Sequence, residues 1–217
     1  MILRLLFIAC FTAIFLIRAG DYFGYSFKQA SFQPSLANLD ASTLRIIAGP
    51  VPGLAADFCV LEVFSIFNEM QKSSRAEYGD YLYQDLKSAV DLDSRFYDPY
   101  RLASSILVFD AGKPKEAVYL LEKGTFALPL KWDIPFLAGF IAYEQLHDHQ
   151  KAFQLMSEAA KRKGAPPMIP MLAARFLSQT SGKEDAIMFL QSLLDTLPEI
   201  YQEGIRQRIK VLRGQGE

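Results

Sequence analysis

The sequence predicts an all-α fold assembled from stacked helix hairpins, and three observations predict it. A beat of 34–35 residues runs along the chain, with one small or apolar residue per period at Leu82, Ala117, Ala152 and Ala186. Seven residues on stand Ala89, Gly124, Ala159 and Leu193, and five further on Ser94, Pro129, Gly164 and Pro198. Within each period apolar residues recur at helical spacing, and Gly or Pro separates one run from the next. A fixed period of this length marks a helical repeat array. Such arrays hold partners more often than they perform chemistry.

The chain begins with an apolar run, Leu5 to Ile17, uncharged over 13 residues and flanked by Arg4 and Arg18. A membrane span needs roughly 20 residues. Met1 to Leu3 bring the run near that length if Arg4 reaches back to the headgroups. The reading adopted is an uncleaved membrane anchor over residues 1–20. The alternative is a cleaved secretory signal ending at Ala19-Gly20, but Ile17 then occupies a position that prefers a small residue. Residues 21–53 read as a linker and lead-in, opened by an aromatic belt at Tyr22, Phe23 and Tyr25. Within it Asp40 to Ile47 predicts a short helix, stopped by Gly49-Pro50 and Pro52-Gly53.

The repeat domain is expected over 54–217. Its first unit pairs a helix near 54–72 with a second from Tyr81 to Ser94, across a loop around Ser73 to Asp80. The unit over 98–131 is the clearest. Asp98-Pro99 predicts an N-cap followed by Pro at the first helical position. Leu102, Ile106 and Phe109 share helical spacing. Gly112 then ends one helix and Pro114 starts the next. Ala117, Leu120, Leu121 and Gly124 form the second helix's apolar face, and Pro129 closes the unit. The unit over 133–166 sets Phe136, Phe140 and Tyr143 against Ala152, Leu155, Met156 and Ala159. The unit over 167–198 sets Ala173, Ala174 and Leu177 against Ala186, Leu190, Leu193 and Leu194, across a Ser181-Gly182 turn. A last helix to about Arg213 carries Tyr201, Ile205, Ile209 and Leu212 on one face. Its acids come early and its bases late, which suits the helix dipole and a terminal cap.

An apolar first helix, small residues at the hairpin contact and a closing Pro together resemble the tetratricopeptide repeat. The resemblance covers about 54–213, and most of the family's Trp, Leu-Gly and Tyr positions are replaced. It implies a right-handed α-solenoid whose first helices line a concave groove. By that resemblance the groove includes Leu102, Ile106, Phe109, Leu137, Ile141, Met171 and Arg175. Leu102 and Ile106 stand where one subset of the family clamps a carboxylate with polar side chains, so that chemistry is not expected. An apolar groove fits an amphipathic helix or an extended apolar segment; the alternative occupant is the chain's own stretch 30–50. The whole chain also resembles bacterial proteins with an N-terminal membrane segment ahead of such repeats, in the stretch Leu44-Arg45 through Ala56-Asp57.

Composition narrows function further. The net charge of −1 and pI near 6.2 argue against a nucleic-acid partner. The basic run Lys161-Arg162-Lys163 falls where a helix ends, so it reads as dipole compensation. Cys10 and Cys59 match no metal or redox spacing. His147-Asp148-His149 falls in a hairpin turn and lacks a further ligand. No phosphate loop, nucleophile motif or paired acid and base stands out. The sequence therefore predicts no enzyme, no catalytic or metal site and no cofactor. The expected role is a protein-binding scaffold that helps assemble or stabilise an envelope or secretion complex. Its expected place is the bacterial inner membrane, with the repeats on the periplasmic side. The alternative role is an exported, soluble, chaperone-like binder of apolar client segments.

Overall fold

A computed structural model of the chain describes residues 39–70, 75–194 and 199–214. The chain divides into two compact units, Met1–Gln33 and Pro34–Glu217, and every described residue belongs to the second. The expected anchor (1–20), the aromatic belt, Ser73 and Pro198 lie outside the described residues.

The described residues form helices and no strands. In chain order they are α1 (Ala41–Ala48), α2 (Pro52–Met70), α3 (Arg75–Leu92) and α4 (Tyr97–Leu102), which runs on into a π-helix (Ala103–Asp110). Then come α5 (Pro114–Ala127), α6 (Asp133–Glu144), α7 (His149–Ala160), α8 (Met168–Thr180), α9 (Lys183–Leu194) and α10 (Glu199–Leu212). α2 packs on α3, α5 on the π-helix and on α6, α6 on α7, α7 on α8, α8 on α9, and α9 on α10.

Local chemistry explains most boundaries. Asp40 caps α1 by accepting a bond from the Thr43 N–H at 2.7 Å, and Gly49 ends it at φ 55°. Gly112, at φ 68°, turns the chain out of the π-helix, and Pro114 opens α5. Asp148 caps α7 through the Lys151 N–H at 2.9 Å. The second helices carry the predicted phase: Ala117, Leu120, Leu121, Ala152, Met156, Ala159, Ala186 and Leu190 are all buried.

The structure departs from the sequence reading at several places. Pro52-Gly53 starts α2 instead of stopping α1, because Pro is accommodated in a helix's first turn, where its missing N–H is unneeded. Leu44 of α1 shares one cluster with Ala56, Cys59, Val60, Ala89 and Leu92, so the boundary at 53/54 falls inside a continuous core. Helix α3 begins at Arg75, inside the expected loop. Phe96, not Asp98, stands at the N-cap of α4 and makes no side-chain cap, while Asp98 keeps a favourable place in the first turn.

The π-helix is the largest local surprise. The Ala111 N–H reaches five residues back to the Ile106 carbonyl at 2.9 Å. That wider turn slips the face predicted from ordinary helical spacing. Ile106 ends buried, Leu102 half-buried and Phe109 62% exposed.

Arg162 ties two hairpins together. Its Nη1 donates to the carbonyls of Leu128 (3.0 Å) and Lys131 (2.8 Å), and Nη2 to that of Thr125 (2.6 Å). The basic run thus compensates a helix C-terminus, but that of α5 in the preceding hairpin, while Lys161 and Lys163 stay exposed. Charged hydrogen bonds of this kind contribute about 1.5–3 kcal/mol. Arg162→Ala is therefore expected to lower stability by about 2–3 kcal/mol in urea unfolding. Arg162→Lys should recover only part of the loss, because an ammonium cannot span three carbonyls as the planar fork does.

Candidate partner-binding surface

Helix α2 is apolar on both faces. Its inner stripe of Ala56, Cys59, Val60, Val63 and Ile66 is buried. Its outer stripe of Leu54, Phe58 and Leu61, spaced four and three residues apart, stays 53–59% exposed, with Phe64 beside it at 50%. Asp57, Ser65 and Asn68 are also exposed on α2, so the outer face is apolar but interrupted by polar residues. Ile46, Ile47 and Val51, all exposed, continue the surface onto α1 and the turn after it. Leu44, Ile47, Ala48, Val51, Leu54, Ala55 and Phe58 line a hollow of about 350 Å³. Contiguous apolar patches of more than a few hundred Å² mark interaction sites on soluble surfaces. Arg45 pins α1 in place by donating to the carbonyls of Asp91 (2.6 Å) and Leu92 (3.2 Å) at the end of α3.

Beneath α2 lies Asp85 of α3. It has no exposed surface, and among the described residues neither carboxylate oxygen has a hydrogen-bond partner. Burial first, and then the charge of Glu62 on α2, raises its pKa to about 8. The Cys59 thiol is pushed up to about 12, by burial first and then by Asp85 and Glu62. A thiol held in this state is unreactive. Sequence reasoning missed both Asp85 and the outer face of α2. The signals were present: Asp85 stands in register with Leu82, Leu86 and Ala89, and residues 54–66 carry apolar side chains at two opposed helical phases.

The residues expected to line a concave groove are not brought together as one open surface. Ile106 (7% exposed) and Ile141 (3%) are core side chains, so neither can serve as a groove wall. Leu102, Leu137 and Met171 are half-buried. Leu102 packs on the cluster around Leu44, and the Met171 methyl lies against Gly204 of α10. Phe109 and Arg175 are exposed. Trp132 at the N-cap of α6 and Phe136 and Phe140 within it form a ladder with ring centroids 6.0 and 6.4 Å apart, open to solvent at Phe140.

Several other polar residues are held by structural contacts. Tyr97 donates to Asp133, which also meets Arg101 at 3.5 Å, joining α4 to α6. His149 sits edge-on to Tyr143 and reaches Gln179 at 3.1 Å, and Asp148 is the α7 cap. Among the described residues no group of three His, Cys, Asp or Glu could hold a metal ion. None of the described helices is long and apolar enough to cross a membrane. No family model, curated protein or solved structure matches the chain.

Proposed function

We propose that this protein is a non-enzymatic scaffold. Its first twenty residues hold it in a membrane, and its hairpins stack as a right-handed α-solenoid of the tetratricopeptide type. It helps assemble or stabilise an envelope complex by seating an apolar helix or extended segment of a partner protein. The observation that carries the reading is the exposed outer face of α2, with Leu54, Phe58, Leu61 and Phe64 unburied beside the α1 hollow. In this reading the face takes the role that the tetratricopeptide resemblance assigned to the concave groove. The succession of neighbour-to-neighbour helix contacts from α5 to α10 supports the stacked arrangement.

A photo-crosslinking amino acid at position 58 of the full chain in cells is expected to yield discrete protein adducts. These should disappear when Leu54 and Leu61 are both changed to Asp. The same probe at position 126, where Phe126 is 85% exposed on another helix, should not yield those adducts. Leu54→Asp and Leu61→Asp alter exposed positions, so each should shift stability by no more than about 0.5 kcal/mol. Equal adducts from both probes, insensitive to the aspartates, would sink the reading. Cell fractionation with amino-terminal sequencing tests the anchor: an intact Met1 in membranes supports it, and a mature chain starting near Gly20 replaces it with the exported binder.

A further inference from the structure

Asp85 occupies the inner stripe of α3, three residues after Leu82, one before Leu86 and four before Ala89. Those three side chains have no exposed surface. Residues three and four apart share a helix face, so the carboxyl is directed into the same seam as the leucines. Helix α2, which packs on α3, brings Cys59 and Glu62 to that seam and carries the exposed apolar surface on its other side. An ionised carboxylate without a hydrogen-bond partner is far costlier to bury than the protonated acid.

We propose that Asp85 is a proton-operated latch beneath the α2 face: protonated, it lets α2 seat on α3, and ionised, it drives the two helices apart. As regulation of partner binding this rests on the scaffold reading. As a property of the seam it does not.

The groups around the seam give the ionised form little relief. From α2 the charge acting on Asp85 is Glu62, of the same sign, while the Cys59 thiol is held uncharged. Arg45 of α1 is bound to the carbonyls ending α3. At α5, Lys113 pairs with Asp80 at 2.6 Å and Lys123 with Asp91, both on other turns of α3. Also on α5, Glu116 lies 3.8 Å from Lys113, Glu122 pairs with Lys151 at 3.2 Å, and Tyr119 lies under Lys123. Tyr100 of α4 donates to the Ser94 carbonyl at 3.0 Å, Tyr97 and Arg101 meet Asp133, and the π-helix ends in Asp110.

The direction of the pH effect follows from linkage. The acid's pKa is raised in the closed seam, to about 8, above its value near 3.9 in an open one. Closure is therefore fully favoured below about pH 4, weakens as pH rises, and levels off above about pH 8. Across that window the opening equilibrium grows roughly tenfold per pH unit.

Hydrogen exchange of the full chain in detergent micelles, measured from pH 5 to pH 9 and corrected for intrinsic rates, tests the latch. Amides of α2 and α3 are expected to lose protection roughly tenfold per pH unit up to about pH 8 and then hold steady. Asp85→Asn should abolish that slope while matching the parent at pH 5. Asp85→Leu, which also lacks a titrating group, should abolish it too and covers the case in which the Asn variant folds poorly. A flat parent profile overturns the latch, as does a slope that survives both substitutions. A slope shared equally by α8 and α9 also overturns it, because the effect would then be global unfolding. The exchange readout involves no partner. Position-58 adducts that persist in the Leu54→Asp, Leu61→Asp variant therefore defeat the scaffold reading alone, and a missing slope defeats the latch alone.

Discussion

Gly124→Val is expected to be among the most destabilising single changes in the chain, at about 3 kcal/mol or more in urea unfolding. A Cβ at position 124 would lie 2.7, 2.9 and 3.0 Å from ring atoms of Tyr100. That ring has no exposed surface, and its hydroxyl is tied to the Ser94 carbonyl at 3.0 Å. It cannot swing aside as a flexible chain end would, so α4 and α5 must separate. Gly124→Ala sets the same clash against a helix-propensity gain of about 1 kcal/mol, which leaves a net loss of about 1–2 kcal/mol. Combining Gly124→Ala with Tyr100→Ala should cost less than the sum of the two, because the second change removes the obstruction. Strict additivity would show that the ring is not what holds position 124 to glycine.

Ile141→Asp is expected to cost about 4 kcal/mol or more, through a lost apolar side chain and a buried carboxylate with no partner. Ile106→Asp should behave alike, since both positions are buried. The groove walls that the tetratricopeptide resemblance implies would instead have these changes abolish binding and leave the helices intact. Phe109→Asp, at a position 62% exposed, provides the contrast and should fall within about 0.5 kcal/mol of the parent. Far-ultraviolet circular dichroism during urea unfolding separates the outcomes. Ile141→Asp with unchanged stability would restore the groove. A domain of this size holds only about 5–15 kcal/mol in reserve, so either isoleucine change removes a large part of it.

The small-residue positions were readable because their causes are local in sequence. Ala117, Gly124, Ala152 and Ala159 recur in phase, and each is buried against a neighbouring helix. Gly139 of α6 is a contact of the same kind. A Cβ there would lie 3.1 Å from the Ala152 carbonyl and 3.2 Å from the Met156 nitrogen, both backbone atoms of α7. The candidate site was less readable. The outer residues of α2 look like core residues, because hydrophobicity does not say which neighbour is present to cover them.

The sequence by itself determined that this protein is helical, where most helices begin and end, and which face of each second helix turns inward. Gly112, Pro114 and Gly182 act on the backbone within a few residues, so their effect needs no tertiary context. Only the tertiary structure decided that Phe109 faces water while Ile106 does not, because a π-helical turn shifts the phase. Only it showed that Arg162 serves the carbonyls of another hairpin, that Asp85 is sealed without a partner, and that the outer face of α2 is left open. Burial and hydrogen-bond satisfaction are properties of what lies opposite a side chain, and in this chain what lies opposite comes from a helix tens of residues away.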